Sequence, residues 1–234
     1  MDATTYSTLF FNGLETISKL YNMKYSKKAF CAYQRLGDNF WSASFICRSF
    51  LVDGQLEVTV DSHIKPCAFD AIQFSIIEPE KNHRITDMLR VNASFAARSL
   101  QIDSKTYYFP CDNPVNFSAT LDENLRTIFS DLIEKRTTFL TSNVSNEDGL
   151  LSYLFAHQAD FPFESGMAYL CKDDYNAAKQ CFELAEKSNS IVTKSIGKPG
   201  RYLHLVFIDY CIAMQSGIEW SDYLVANGLS ADAT

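Results

Sequence analysis

Residues 166–188 read GMAYLCKDDYNAAKQCFELAEKS. Gly166 and Tyr169 stand at one helical spacing, Ala178 and Phe182 at another, and Ala185 follows on the same side. Lys172-Asp173-Asp174 is a polar break, after which Tyr175 opens a second periodic run. The pattern predicts two antiparallel helices joined by a short turn. Small residues at Gly166, Ala178 and Ala185 let the helices approach closely, while Tyr169 and Phe182 fill the space beside those contacts. Asp173 and Asp174 read as turn and N-cap residues. A lone pair of helices cannot bury its apolar sides, so this pair needs a lining from elsewhere.

The flanks offer one. EDGLLSYLFAHQ sets Leu150, Leu151, Leu154 and Phe155 at helical spacing. RYLHLVFIDYCIAMQSG sets Leu203, Phe207, Tyr210, Cys211 and Met214 on one helix ending at Gly217. EWSDYLVANG adds Trp220, Tyr223 and Leu224. Strand signals vanish from about Asn146. Residues 141–234 therefore read as a helical subdomain, in which the hairpin leans on other helices of its own chain.

Over roughly residues 159–192 this set, G-x-x-Y then A-x-x-x-F with a following Ala, resembles a tetratricopeptide repeat. Pro162 stands at the repeat's Trp position, Ser165 at its Leu position, and Ser190 replaces the closing Pro. A shift of about 34 residues matches Gly200 but finds Leu203, Ile212 and Ser216 where Tyr, Ala and Phe belong. One unit is present, not an array. The resemblance implies an inner surface from the first helix: Asp160, Phe163, Met167, Leu170 and Cys171. These are mostly apolar, so they are either core against the next helix or a slot for a peptide of a partner protein. Lys187, Lys194, Lys198 and Arg201 form a basic cluster, read as a solvated edge or as a contact for an acidic partner.

Residues 1–140 read differently. Leu9, Phe10, Gly13, Leu14, Ile17, Leu20 and Tyr21 give one apolar helix face over 5–22. KAFCAYQRL (28–36), FWSASFICRSFLV (40–52) and QLEVTVDSHI (55–64) read as strands, the last two meeting at Asp53-Gly54, a hairpin signal. DAIQFSIIE (70–78) reads as a fourth strand. In 80–118, RITDMLRV suggests a short helix, SFAARSLQID and KTYYFPC a pair of strands turning at Asp103-Ser104, and PCDNPVNFS a loop. TLDENLRTIFSDLIEKRTTFL is a helix, with Thr120 and Glu123 as a capping box and Lys135 and Arg136 near its end. The fold class expected is α+β: an antiparallel sheet of four to six strands covered by helices, followed by the helical subdomain. The order helix, meander, long helix resembles uncharacterised bacterial α+β domains, some of which look like immunity partners of secreted toxins.

The chain has 234 residues and a formal charge of −7. An acidic surface opposes both nucleic acid and anionic lipid, so neither is expected as a partner. The start carries no basic leader with a long apolar run, and no stretch is apolar enough to span a bilayer, which points to a cytoplasmic location. The seven cysteines are odd in number and lack CxxC spacing, and they read as reduced core thiols. No Walker loop, G-x-S-x-G, H-E-x-x-H or dinucleotide glycine pattern occurs. His63 and Cys67 stand four apart, but Pro66 breaks any helix that would align them. No metal, cofactor or catalytic residue is assigned. The expectation is a non-enzymatic protein-binding module, with an immunity-type role as the fitting example. Two alternatives stand beside it: an enzyme with a crevice site between sheet and helices, and an oligomerisation module using an open sheet edge.

Overall fold

The computed structural model describes residues 3–50, 54–79, 84–91, 97–144, 149–188, 195–196 and 201–229. The fold is α+β. The chain forms two compact units: Met1–Lys65, Val91–Ala93 and Ser99–Ser145 make the first, and Pro66–Arg90, Ser94–Arg98 and Asn146–Thr234 the second. The sequence reading put a single boundary near residue 140. The structure instead assigns Pro66–Arg90 to the second unit.

The first unit holds α1 (Ala3–Leu20), β1 (Lys24–Ser26), β2 (Cys31–Leu36), β3 (Asn39–Phe50), β4 (Gln55–Pro66), β5 (Leu100–Pro110) and α4 (Pro114–Asn143). The strands form one antiparallel sheet in chain order. Strict alternation decides β4: Leu56, Val58, Val60, Ser62 and Ile64 are all buried, with half-buried residues between them. Tyr6, Phe10, Leu14 and Ile17 of α1 are buried, as are Leu125, Ile128, Phe129 and Leu132 of α4. Phe10 packs on Phe109 at 5.7 Å, and Phe45 stacks on Phe129 at 5.9 Å. Trp41 is fully buried; its indole N–H donates to Ser62 Oγ at 2.8 Å and the Arg136 guanidinium lies 4.5 Å over its ring. Gly54 has φ 62, as the hairpin signal requires, while Asp53 lies outside the described residues.

Four local readings change. Lys24–Ser26, to which the sequence reading gave no element, pairs with β2 as an edge strand. SLQID and KTYYFP are one strand: Asp103 and Ser104 pair with Ser62 and Asp61, and the register slips by one residue at Ser62/His63. The polar pair lies in regular register and makes no turn, the unpaired residue of the β-bulge being Ile102, and Ser104 Oγ donates to Asp61 Oδ1 at 2.6 Å. The long helix starts before Thr120, at Pro114, because Asn113 Oδ1 accepts the Asn116 N–H at 2.8 Å and Pro114 has no N–H that would need an acceptor. Thr120 sits inside that helix, its hydroxyl donating to Asn116 O. The helix also runs past Lys135 and Arg136, leaving no basic residue in its last turn.

The second unit holds α2 (Cys67–Ile77), α3 (Asp87–Arg90), α5 (Leu150–Ala156), α6 (Pro162–Leu170), α7 (Tyr175–Lys187), the two-residue strands β6 (Ser195–Ile196) and β7 (Arg201–Tyr202), α8 (Leu203–Gln215) and α9 (Trp220–Ala226). The expected fourth strand is α2. Its Ile72, Phe74 and Ile76 alternate, but Phe69, Asp70, Gln73, Phe74 and Ile76 are the buried set, and that spacing is helical. Two alanines and an extended Pro66 before the first turn favour a helix there.

The 166–188 stretch forms the expected pair, α6 and α7, with Asp174 Oδ1 capping α7 by accepting the Ala177 N–H at 3.0 Å. Its lining comes from α2, α5 and α8. Phe163, Phe182 and Phe207 form a triangle of rings, with centroids 5.1 to 5.7 Å apart and all three fully buried. A Cβ on Gly166 would stand 2.6 Å from Phe182 Cε1, which is why glycine occupies that position. Tyr169 packs on Phe155 at 4.5 Å and its hydroxyl accepts from Gln158 Nε2 at 2.7 Å. Ser165 donates to Leu154 O at 2.8 Å, tying α6 to α5. Trp220 Nε1 donates to Ile76 O at 2.8 Å, tying α9 to α2. Buried Asp70 accepts from Arg90 and from the Ala97 N–H, both at 2.8 Å. No described helix is long and apolar enough to cross a membrane.

Candidate functional site

The first helix has two working sides. Tyr6, Phe10, Leu14 and Ile17 enter the core, and Thr4, Ser7, Thr8, Phe11 and Asn12 make a second stripe at i, i+3, i+4, i+7 and i+8. That second stripe, with Tyr25, Lys27 and Phe30, lines an open cleft of about 500 Å³. The volume lies in the range of small-ligand and side-chain pockets.

The β1–β2 turn supplies the opposite wall. Ser26 Oγ accepts the Ala29 N–H at 3.3 Å, and Phe30 O accepts the Phe45 N–H at 2.9 Å. Between these anchors Phe30 takes φ 46, a conformation that bulky residues avoid and that costs on the order of 1–3 kcal/mol. Phe30 nonetheless leaves 45% of its surface exposed, its ring 4.4 Å from that of Phe11. An aromatic side chain held in a strained turn and left in water has no explanation in core packing.

Tyr25 lines the cleft too, but its hydroxyl oxygen is shielded from solvent and has no hydrogen-bond partner among the described residues. Burial pushes this phenol well above its usual range. Lys27 is engaged by Glu15, Nζ to Oε2 at 2.8 Å, and this lysine, then Lys19, holds the Glu15 carboxyl below the usual range. The site is thus lined by two aromatic rings, three hydroxyls, one amide and an ammonium that shares Glu15 with Lys19, with an unsatisfied phenol behind them. Among the described residues no His, Cys or carboxylate lines it.

The residues singled out by the sequence lie in the second unit. Phe163 and Met167 are fully buried and Leu170 is 5% exposed, so their apolar side chains belong to the core against α7 and α8. Asp160 is exposed in the turn before α6, and Cys171 caps that helix, half-buried, with its thiol pushed up to about 11 by burial. Lys194 and Lys198 lie outside the described residues; Arg201 belongs to β7 by its backbone. The structure brings Phe163, Met167 and Leu170 together, but inside the fold.

Burial also pushes the thiols of Cys31 and Cys211 up to about 12, which opposes nucleophilic use. His157 Nδ1 lies 2.7 Å from Tyr153 O and its ring stacks on Tyr153. His204 is buried, which lowers its basicity. Among the described residues no group of three or more His, Cys, Asp or Glu side chains could hold a metal ion.

The cleft went unseen at the level of sequence. Its one signal was Phe11, an aromatic residue on the otherwise polar stripe of α1. Comparison with protein-family models, curated proteins and solved structures gave no match.

Proposed function

We propose that this chain is a non-catalytic, cytoplasmic protein-binding module, and that it grips its partner through the cleft between α1 and the β1–β2 turn. An immunity-type role, in which the bound chain blocks a partner's working surface, suits an acidic and rigid receptor of this kind. The observation that carries the reading is Phe30: exposed, stacked on Phe11 and held at φ 46. Aromatic residues with little freedom left to lose are the usual anchors of protein interfaces. Phe163, Met167 and Leu170, the apolar inner positions of the α6–α7 pair, are core residues, which favours a partner surface on the first unit.

The test is direct. The purified chain is titrated calorimetrically with the products of adjacent genes, a secreted toxin above all. Phe30→Ala is expected to weaken the complex at least tenfold, since a hot-spot aromatic contributes about 2 kcal/mol or more. A complex whose affinity is untouched by both Phe30→Ala and Phe11→Ala would refute this surface.

A further inference from the structure

We infer that the outer edge of β5 binds β5 of a second copy of this chain, the two strands running antiparallel and centred on Thr106. This surface is independent of the cleft, since β1 and β5 stand at opposite ends of the sheet.

The backbone fixes which groups the edge offers. Among the described residues the sheet ends on β5, Leu100–Pro110. Opposed residues of an antiparallel pair alternate between bonded and non-bonded positions. Pro110 faces Gln55 and has no N–H, and the next residue, Cys111, donates its N–H to Gly54 O at 2.7 Å. Gln55 and Pro110 are therefore a non-bonded pair. Counting back along the register, Phe109, Tyr107, Lys105 and Asp103 bond to β4, whereas Tyr108, Thr106 and Ser104 turn their N–H and C=O groups outward. The side chains agree. They come closest at non-bonded pairs, and there Thr59 meets Thr106, Oγ1 to Oγ1 at 3.1 Å, and Ser104 donates to Asp61. Ser104 and Tyr108 are exposed, Tyr108 by 60%.

Proteins guard such edges with bulges, prolines and lysines. Here the bulge at Ile102 and Pro110 bound the run 103–109 without interrupting it. The lysine inside the run, Lys105, has its ammonium held by Asp131 of α4.

Self-pairing then selects one register. With Thr106 opposite its own copy, Ser104 meets Tyr108 of the second copy, and every outward residue of the run is bonded. Lys105 faces Tyr107 of the second copy and Asp103 faces its Phe109, so no like charges stand directly opposed. Sliding one way sets Lys105 against its own copy and Tyr108 against the bulge. Sliding the other way sets Ser104 against Pro110, which has no N–H to give. A run whose halves match about one residue is what a second copy requires and what a foreign segment would not need. A single strand edge falls short of the roughly 1,200–2,000 Å² of stable interfaces, so the dimer is weak and concentration-dependent.

The test is sedimentation velocity of the full chain from about 10 µM to about 1 mM, with amide hydrogen exchange read at both ends. The native chain should pass from monomer to dimer. In dilute solution the Lys105, Tyr107 and Phe109 amides should be protected, and those of Ser104, Thr106 and Tyr108 should exchange fast. In the concentrated sample the second group should slow at least about threefold. Thr106→Pro removes an outward N–H and leaves the bonds to β4 in place, as prolines on edge strands do. It should weaken the dimer at least about tenfold, the range of a lost pair of hydrogen bonds. Thr106→Val keeps that N–H and should dimerise like the native chain. A native chain that stays monomeric at about 1 mM would overturn the inference, as would undiminished dimerisation of Thr106→Pro. A dimer that leaves the Ser104, Thr106 and Tyr108 amides unprotected would also overturn it, and that reading needs no variant to fold.

Discussion

Gly166→Ala separates two opposing effects in one residue. In a helix interior alanine is favoured over glycine by about 0.5–1 kcal/mol. Here the new Cβ would stand 2.6 Å from Phe182 Cε1 and 2.8 Å from both Cδ1 and Cζ. Three atoms of one rigid ring cannot be cleared by rotating a methyl group. Nor can the ring slide easily: it is fully buried, stacked on Phe207 at 5.1 Å and met edge-on by Phe163 at 5.4 Å. Overpacking of this kind costs about 1–3 kcal/mol, and a ring pinned on two sides belongs at the upper end. The net expectation is a loss of about 2 kcal/mol. Urea unfolding followed by far-ultraviolet circular dichroism reads it as a midpoint lowered by roughly 1 M, for a slope of about 2 kcal/mol/M. Phe182→Leu in the same chain should abolish the Gly166→Ala penalty, since it removes the ring that the methyl meets. If Gly166→Ala is as stable as the native chain, close contact through Gly166 does not hold the helical pair together. Gly13→Ala is the matched control. Its Cβ meets Leu125 Cδ1 at 2.7 Å and Leu121 Cδ2 at 3.1 Å, the movable ends of leucine side chains. Clearance there is cheap, so stability should stay within about 0.5 kcal/mol of native.

Asp70→Ala removes the partner of Arg90 and of the Ala97 N–H together, and should cost about 3–5 kcal/mol; chemical unfolding that shows under 1 kcal/mol would mean the pair is not a structural tie. Trp220→Phe keeps the ring contacts but leaves Ile76 O without its donor, a loss of about 1–3 kcal/mol in the same assay, with no change expected in denaturant slope. Glu164 is buried against Arg98, and burial raises its pKa above the ordinary value of 4.5. The folded chain therefore holds this proton more tightly than the unfolded one. Its contribution is fully present below the unfolded pKa and is lost as pH rises through the raised folded pKa. Relative to Glu164→Gln, the native chain should gain stability as pH falls from 7 towards about 4.5; parallel stability profiles across that window would contradict the assignment.

Periodicity carried much of the fold. The alternation of Leu56, Val58, Val60, Ser62 and Ile64 could bury one face only as a strand, and the spacing of Gly166, Ala178, Phe182 and Ala185 could bring two helices together only along that line. These patterns are local, and the backbone period writes them directly into the residue order. Where two periods overlapped, sequence was ambiguous: Ile72, Phe74 and Ile76 satisfy a strand, while Phe69, Gln73 and Ile76 satisfy a helix. A second core around Phe69 and Ile76, built with residues far along the chain, decided for α2. Asp103-Ser104 was ambiguous for a similar reason, because a polar pair suits either a turn or the wetter side of a strand, and only the facing residues Ser62 and Asp61 decide for the strand. The candidate site was beyond reach altogether. Nothing near Thr4, Tyr25 or Phe30 in the chain says that they share a cleft. That juxtaposition exists because α1 is laid against the sheet by its other side, and because a strained turn turns Phe30 outward onto Phe11. Local pattern specifies which face of an element is buried; which outward-facing residues then meet is set by packing between distant segments.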